Sequence, residues 1–244
     1  MKTTATRLVT FSQCPFLYRV LYEVKEPLPV LGTRRRFGNV IHAAIASYEK
    51  SGRNLARARE TLEERSSGLN RKELDEAIAI LEWRHERVRG RGGRPVLVEG
   101  SLRASVAGHR LEVRMDRLDA SGEDLLLAEY KAGRVVDLDV VRVQLTLLSY
   151  AVLDVFRRAP THWEIELLAA RRVLELPAVT SPEELERFTR GLIERVESGD
   201  RSPKPYDPRF CRKCPARSYC PLQQAEPRPF SRSTERTDPS GLLF

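Results

Sequence analysis

The sequence predicts an α/β fold, because segments with the period of a helix alternate with segments that have the period of a β-strand. Residues 109–131 contain two strand-like runs around the turn sequence DASGED, which is typical of an antiparallel hairpin. Helical patterns lie on either side of this hairpin, at 38–50 and at 138–156. A further strand is expected in HWEIELLAA, after the second of these helices.

Each element has its own local signal. The helix at 38–50 carries its apolar residues on one side, namely Val40, Ile41, Ala44, Ile45 and Tyr48. The next helical stretch, RKELDEAIAILEWRHERVRG, ends in the breaker cluster RGRGGRP. In HRLEVRMD, apolar residues alternate with charged ones, as in a half-buried strand whose charged face includes Asp116. The helix SPEELERFTRGLIERVE begins with Ser181 as N-cap and Glu184 three residues later, a capping box.

Length and composition bound the class of protein. The 244 residues suffice for one sizeable domain, which we place at 1–221, and the aperiodic tail at 222–244 is predicted to be disordered. A hydrophobic content of 41% and a charged content of 31% describe a soluble globular protein. We expect a cytoplasmic location without membrane contact, because no apolar run approaches the about 20 residues that span a bilayer and no signal-peptide core is present.

The charge of the chain favours a polyanionic partner. A formal charge of +8 and a pI near 9.6 suit nucleic acid, although many basic proteins bind none. The sequence has no Walker-type GxxxxGKS/T loop, so any helicase would have to be a separate protein.

The stretch LLLAEYKAGR places charges at the end of an apolar strand. The period of two puts Glu129 and Lys131 on the same face of that strand. If the hairpin turn centres near Gly122, Asp116 falls opposite or almost opposite Glu129. Two carboxylates about 5 Å apart repel by roughly 3 kcal/mol at an effective dielectric near 20, so a cation is expected between them.

A divalent metal would supply that cation. Carboxylate oxygens suit Mg²⁺ or Mn²⁺, which polarise a phosphoryl oxygen and lower the pKa of a bound water. Lys131 could orient or deprotonate that water and offset charge on a phosphate. Alternatively, Glu129 and Lys131 form an exposed salt bridge at a strand end, since ExK patterns are common.

The cysteines form a second group. Cys211, Cys214 and Cys220 lie in CRKCPARSYC, and Cys14 stands far upstream. In a reducing cytoplasm four such thiolates are metal ligands more often than disulfides, and they can saturate a zinc ion or an iron-sulfur cluster. The one-plus-three spacing favours the cluster, because structural zinc sites usually offer two close pairs; a zinc clip of the same shape is the alternative.

The order of a helix with histidine, Asp at one strand end, ExK at the next, and a helix with glutamine resembles the RecB-like branch of the PD-(D/E)XK nucleases. The cysteine layout resembles its iron-sulfur members, the nuclease domain of AddB-type subunits and the four-cysteine CRISPR-adaptation nucleases. This resemblance implies a mixed central β-sheet flanked by helices, a restriction-endonuclease-like core, with a C-terminal iron-sulfur clip.

The resemblance also implies roles for individual residues. Asp116, Glu129 and His42 would bind Mg²⁺ or Mn²⁺, and Lys131 would assist the attacking water. The thiolates of Cys14, Cys211, Cys214 and Cys220 would hold a [4Fe-4S] cluster that clips the chain ends together. A lone histidine on an apolar helix face can instead be a packed core residue.

Further positions follow from the same resemblance. Glu99 in VLVEGSL falls where many relatives keep an acidic residue, or is only a strand-end charge. Gln144 and Tyr150 correspond to a Gln-then-Tyr element that lines the DNA channel. The usual tyrosine position, four residues after glutamine, is Leu148 here, and helical geometry puts Gln144 and Tyr150 on different faces.

Two groups near these residues could contact nucleic acid. Tyr18 and Arg19 could touch a base or a phosphate, or could pack around the cluster. The run GTRRRFG, with Arg34, Arg35 and Arg36, is expected to be a solvated loop before the His42 helix, or a guide for phosphates.

The implied function is metal-dependent hydrolysis of DNA, as an exonuclease on single-stranded ends, in repair, recombination or CRISPR adaptation. The implied partners are single-stranded DNA ends and a separate helicase or CRISPR-adaptation proteins. Two alternatives stay open: a non-catalytic DNA-binding or scaffold subunit stabilised by an iron-sulfur or zinc site, and a zinc-stabilised interaction protein without nucleic-acid function.

Overall fold

A mixed β-sheet lies between two layers of helices in this computed structural model, which describes residues 2–28, 32–90 and 94–223. Six strands of the described residues form the sheet. They are β1 Lys2–Thr4, β2 Arg94–Val106, β3 His109–Ser121, β4 Asp124–Lys131, β5 His162–Leu167 and β6 Arg172–Pro177. The predicted fold class, a mixed sheet flanked by helices, is confirmed. From residue 224 onward the predicted disordered tail lies outside the described residues.

The helices follow the strands in chain order. They are α1 Ala5–Gln13, α2 Pro15–Tyr18, which continues as a π-helix over Arg19–Val24, α3 Gly32–Lys50, α4 Leu55–Arg65, α5 Arg71–Val88, α6 Leu138–Phe156 and α7 Pro182–Glu197. Three 3₁₀ turns cover Leu168–Ala170, Pro208–Lys213 and Arg217–Tyr219. The prediction of a helix at 138–156 is confirmed, and no helix of the described residues is long and apolar enough to cross a bilayer.

Strand β3 organises the sheet. It pairs with β2 in antiparallel fashion along most of its length. Its other edge pairs first with β1, in parallel as far as Glu112, and then with β4, in antiparallel fashion from Arg117 onward. Between these two residues that edge of β3 has no strand partner within the described part of the chain. The sheet therefore opens beside Asp116.

The hairpin forms as the sequence predicts. The β3–β4 ladder closes at Ser121↔Asp124, so the loop consists of Gly122 and Glu123. Gly122 has a φ of 61°, a conformation that glycine adopts without steric cost. The register continues to Arg117↔Ala128, which makes Asp116 and Glu129 the next opposed pair.

Two apolar cores cover the faces of the sheet, and β4 shows the division between them. Leu125 and Leu127 join the core formed with α1, α6 and α7. Ala128 and Tyr130 join the core formed with α3, α4 and α5. Because both faces are covered, the charged residues near the end of β4 are buried.

Two predictions about local structure are wrong. GTRRRFG is not a loop, because α3 begins at Gly32. Arginine is a good helix former, and Phe37, which is 6% exposed, packs in the α3–α5 core and anchors this part of the helix. Asp116 does not lie on a solvated face: it is only 8% exposed, because helix α3 covers that part of the sheet.

Candidate active site and metal centre

The opening between β3 and β4 brings three acidic residues into one row. Asp116 lies next to Glu129 of β4 and, on its other side, next to Glu99 of β2, because Val98↔Arg117 and Gly100↔Met115 flank that position. Glu99 has a φ of 47°, which interrupts the alternation of β2 at this point. A left-handed conformation costs a non-glycine residue roughly 1–2 kcal/mol. Strain of this kind is common at functional sites.

His42 on α3 faces two of these carboxylates. Its Nδ1 lies 3.3 Å from Asp116 Oδ1 and 3.4 Å from Glu99 Oε1. One ligand atom from each of the three residues lies within 4.8 Å of the other two. His42 is thus placed against carboxylates, whereas a histidine packed in the core would have apolar neighbours.

Neighbouring groups fix both carboxylates. The backbone N–H of Tyr130 donates to Asp116 Oδ2 over 2.6 Å. Arg114 donates to Glu99 Oε2 from Nε at 3.1 Å and from a terminal nitrogen at 2.7 Å. Glu99 Oε1, by contrast, is buried without a hydrogen-bond partner. Such an oxygen, beside an imidazole nitrogen and an aspartate oxygen, suits a hard divalent cation.

Lys131, Glu129 and Gln144 form a closed triangle beside this group. Lys131 Nζ donates to Glu129 Oε1 and to Gln144 Oε1, both at 2.9 Å. Gln144 Nε2 donates to the same Glu129 oxygen at 2.8 Å. Glu129 is 5% exposed and Lys131 is 9% exposed, so their ion pair is buried and not the surface salt bridge that the sequence also allowed.

The charges of the site act on one another. Burial opposes the charged form of His42, but the Asp116 and Glu99 carboxylates outweigh it and raise the pKa of His42 to about 10. Burial likewise opposes ionisation of Asp116, but the charge of His42 lowers the pKa of that carboxyl. Burial and the neighbouring Asp116 raise the pKa of Glu129. A divalent cation would reverse this last effect.

A buried ionic network supports the site from the α3–α5 side. Arg84 Nη1 lies 2.6 Å from Glu49 Oε1, and Arg84 Nε lies 3.1 Å from Glu166 Oε2. Arg84 also donates to the Tyr130 hydroxyl at 2.9 Å. Arg117 donates to Glu49 at 3.1 Å and to the same hydroxyl at 3.2 Å. Tyr130 therefore links the two: its side chain contacts the ionic network, and its backbone N–H contacts Asp116 in the site. No local pattern in the sequence indicates this network, because its charges come from four separate elements.

A large groove opens onto the site. It has a volume of about 1670 Å³ and is lined by His42, Glu99, Asp116, Glu129, Lys131 and Gln144. Basic side chains also line it, among them Arg35, Lys50, Arg57, Arg65, Lys72 and Arg134. The groove can therefore accept an extended polyanion next to the acidic row.

Other predicted contact residues lie elsewhere. Tyr150 is buried and donates to the backbone oxygen of Ser105 at 2.6 Å. Tyr18 is also buried, with its ring 5.6 Å from Phe11 and 5.0 Å from the Arg201 guanidinium. These placements favour packing over base contact for both tyrosines. Arg19 is exposed on the π-helix.

Of the arginines at 34–36, Arg35 lines the groove, and its side chain is exposed. Arg36 reaches the backbone oxygen of Gly68 at 3.5 Å. The side chain of Arg34 lies outside the described residues.

Cys14 and the three C-terminal cysteines belong to segments that meet in the fold, although almost the whole chain lies between Cys14 and Cys211. No disulfide joins them, and Cys14 and Cys220 are buried. Burial and the other three thiol groups raise the pKa of Cys214 to about 11. Burial, together with Cys14 and Cys220, also raises the pKa of Cys211. The N–H of Tyr206 donates to the backbone oxygen of Gln13 over 3.0 Å, so the C-terminal segment lies against the end of the helix that precedes Cys14.

Comparisons with known proteins bear on the family and the fold of the chain. The family model described as the PD-(D/E)XK nuclease superfamily matches residues 2–221. A candidate exonuclease from Eubacterium rectale has a similar structure, with 12% identity, a TM-score of 0.52, and 93% of this chain and 90% of that one covered. The protein SSO0001 is 16% identical, with a TM-score of 0.45 and coverage of 91% and 87%. No curated protein matches the sequence.

Proposed function

Because the chain belongs to the PD-(D/E)XK nuclease superfamily, we propose that it is a metal-dependent deoxyribonuclease that digests single-stranded DNA from its ends. One observation carries this proposal: the Lys131–Glu129–Gln144 triangle lies beside the His42–Glu99–Asp116 group at the base of a basic groove. Glu129 belongs to the triangle and is opposite Asp116 in the hairpin, so a cation held by the carboxylates would lie next to the Lys131 ammonium group.

The donor set fits Mg²⁺ or Mn²⁺. His42, Asp116 and Glu129 would hold the ion, as the resemblance implies. Glu99 joins them because its ligand oxygen lies within 4.8 Å of those of His42 and Asp116. When bound, such an ion would supply Lewis-acid chemistry there, by polarising a phosphoryl oxygen and lowering the pKa of a water. The Tyr130 N–H holds Asp116 in place during these events.

The role of Lys131 follows from its two fixed hydrogen bonds. Glu129 and Gln144 direct its ammonium group, so that Nζ can donate to a non-bridging phosphate oxygen. As a water oxygen attacks phosphorus, negative charge grows on these oxygens, and Lys131 offsets it. The attacking water gives up one proton to solvent, the P–O bond to the departing nucleotide breaks, and the oxygen that leaves takes up a proton from solvent.

The proposed substrate is supported by the shape and charge of the groove. Its arginines and lysines can neutralise the phosphates of a bound strand. An exonuclease is also what the similar Eubacterium rectale structure is named for. Action in repair, recombination or CRISPR adaptation, with a separate helicase or CRISPR-adaptation protein as partner, stays a prediction.

We further propose that Cys14, Cys211, Cys214 and Cys220 hold a [4Fe-4S] cluster. The spacing of the cysteines along the chain supports this proposal, because structural zinc sites usually offer two close pairs, whereas here one N-terminal cysteine joins three C-terminal ones.

The proposed activity is tested with a labelled single-stranded oligonucleotide and Mn²⁺. After anaerobic purification, the native protein should shorten the oligonucleotide from one end. Lys131→Ala should cut about 10²–10⁴-fold more slowly, the usual contribution of such a group. Lys2→Ala, at an exposed lysine on β1, is the matched control and should keep its activity.

The alternatives give different results in the same experiment. Binding without cleavage by the native protein would favour a non-catalytic scaffold subunit. A colourless protein that contains zinc and does not bind DNA would favour the zinc-stabilised interaction protein. Cleavage of circular single strands would replace the exonuclease mode by an endonuclease mode.

A further inference from the structure

Two aromatic side chains lie together on the wall of the groove. The ring centroids of Tyr206 and Phe210 are 6.3 Å apart, and the rings are tilted by 48°. Both residues line the groove that contains the candidate active site. Tyr206 is 38% exposed, so part of its ring is available to another molecule.

The backbone and hydroxyl of Tyr206 are fixed by other elements. Its N–H donates to the backbone oxygen of Gln13, at the end of α1, over 3.0 Å. Its hydroxyl contacts the carboxylate of Asp137, which is the N-cap of α6. Because Gln13 directly precedes Cys14, and Phe210 directly precedes Cys211, the segments that carry the cysteines also position the ring pair.

The surroundings of the ring pair are apolar and exposed. Val135 is 87% exposed and Leu138 is 37% exposed, and both lie within two residues of Asp137. Single exposed apolar side chains are ordinary. Val135 lines the groove with Tyr206 and Phe210, and exposed apolar groups that share one wall indicate a surface that binds something partly apolar.

We propose that Tyr206 and Phe210 form a stacking platform for one nucleobase of the bound strand. This inference rests on the proposed nuclease function and adds a subsite to it. Tyr206 contacts Asp137 at the start of α6, and Gln144 of the active-site triangle lies about two turns, or about 10 Å, further along the same helix. The platform is therefore a subsite apart from the Lys131 triangle in the same groove.

A nucleobase fits the platform better than a protein partner does. The same groove presents basic side chains, such as Arg35, Lys50 and Arg134, which match the phosphates of a strand that leads to the site. Single-strand binding proteins combine these two features, a basic track and aromatic rings, because every base has a π-face. A protein partner would use the apolar surface without any need for the basic track.

The test measures binding without cleavage. A fluorescein-labelled single-stranded oligonucleotide is titrated with the full-length protein in EDTA, and its anisotropy is recorded. Tyr206→Ala should weaken binding about 5- to 150-fold, which corresponds to about 1–3 kcal/mol for one stacked base. Tyr206→Phe keeps the ring and loses the contact with Asp137, so its affinity should stay within about twofold of the native value. Melting temperatures check that both variants are folded.

A second set of oligonucleotides locates the base. A single abasic site is moved along the strand, and at one position it should weaken native binding as much as Tyr206→Ala does. At that position the abasic site should cause no further loss in Tyr206→Ala. This non-additivity would support stacking, because the base and the ring would then act as one interaction.

Other results would overturn the platform. One is native-like binding by Tyr206→Ala, which a surface for a protein partner would give. Another is an equal loss of affinity in Tyr206→Ala and Tyr206→Phe. A third is that the losses of affinity from Tyr206→Ala and from the abasic site add at every position. The two proposals fail separately. If the native protein does not cleave with Mn²⁺ but the non-additivity holds, the platform stands and the nuclease activity does not.

Discussion

Arg84 links the buried ionic network to the candidate active site, and replacing it with methionine tests that link. Its side chain is 1% exposed and neutralises Glu49 and Glu166, both in the interior. Arg84→Met keeps an unbranched side chain but leaves these carboxylates with fewer counter-charges. Removing one partner from a buried ion pair typically costs about 3–5 kcal/mol.

The expected loss is large enough to measure precisely. For a domain of this size, each kcal/mol lowers the melting temperature by about 2–4 °C, so we expect a decrease of roughly 6–20 °C. The free energy of unfolding is measured by urea denaturation followed by circular dichroism. Arg59→Met is the matched control, because Arg59 and Glu82 form an ion pair in which both side chains are about half exposed. An exposed pair contributes about 0–1 kcal/mol.

A second substitution separates charge from packing. If unpaired charge causes the loss, Glu166→Gln in the Arg84→Met background should restore part of the stability, because it removes one buried negative charge. Mn²⁺ affinity should also fall in Arg84→Met, since Tyr130 connects Arg84 with Asp116. A loss below about 1 kcal/mol, or a double variant less stable than Arg84→Met alone, would refute this reasoning.

Three further predictions concern the metal ligands and the cysteines. Glu99→Gln should weaken Mn²⁺ binding about 10- to 100-fold in calorimetric titration. Arg103→Gln, a change at an exposed residue on the same strand, should leave Mn²⁺ affinity unaltered. Equal Mn²⁺ affinities of Glu99→Gln and the native protein would remove Glu99 from the ligand set. In the metal-free protein, protonated His42 should contribute its full stabilisation below its unfolded pKa near 6.5, and this contribution should be lost as pH rises toward about 10. Mn²⁺ binding should release a proton from His42 and should tighten as pH rises. Thermal unfolding and Mn²⁺ titrations in several buffers check the two predictions, and pH-independent values would contradict them. Cys14→Ala should give insoluble protein or protein without iron and without visible absorption, and a stable brown variant would exclude Cys14 as a ligand.

The elements that sequence predicted well depend on local signals. The turn at Gly122, the apolar helix at 138–156 and the register of Asp116 against Glu129 follow from periodicity and turn chemistry over short stretches. The arginine run at the start of α3 lacks an apolar period, and the burial of Phe37 that anchors it is a tertiary contact. Local periodicity carries no record of such a contact.

The candidate site divides in the same way. The spacing of Glu129 and Lys131 on one strand determines that they share a face. The participation of Glu99 depends on a left-handed residue within β2, and that of His42 depends on α3 crossing the opening in the sheet. Sequence patterns could suggest these two residues as candidates but could not predict that their side chains lie next to Asp116.

The sequence by itself determined the hairpin, the acid-and-lysine pattern at its end and the supply of four cysteines at the two ends of the chain. Only the tertiary structure decided that β1 and β4 share one edge of β3, so that the sheet opens beside Asp116. It also decided that Tyr206 and Phe210 lie on the wall of the resulting groove. The physical reason is the range of the interactions: turns and strand faces are set by neighbouring residues, whereas an opening in a sheet and a groove between layers arise from packing among segments far apart in the chain.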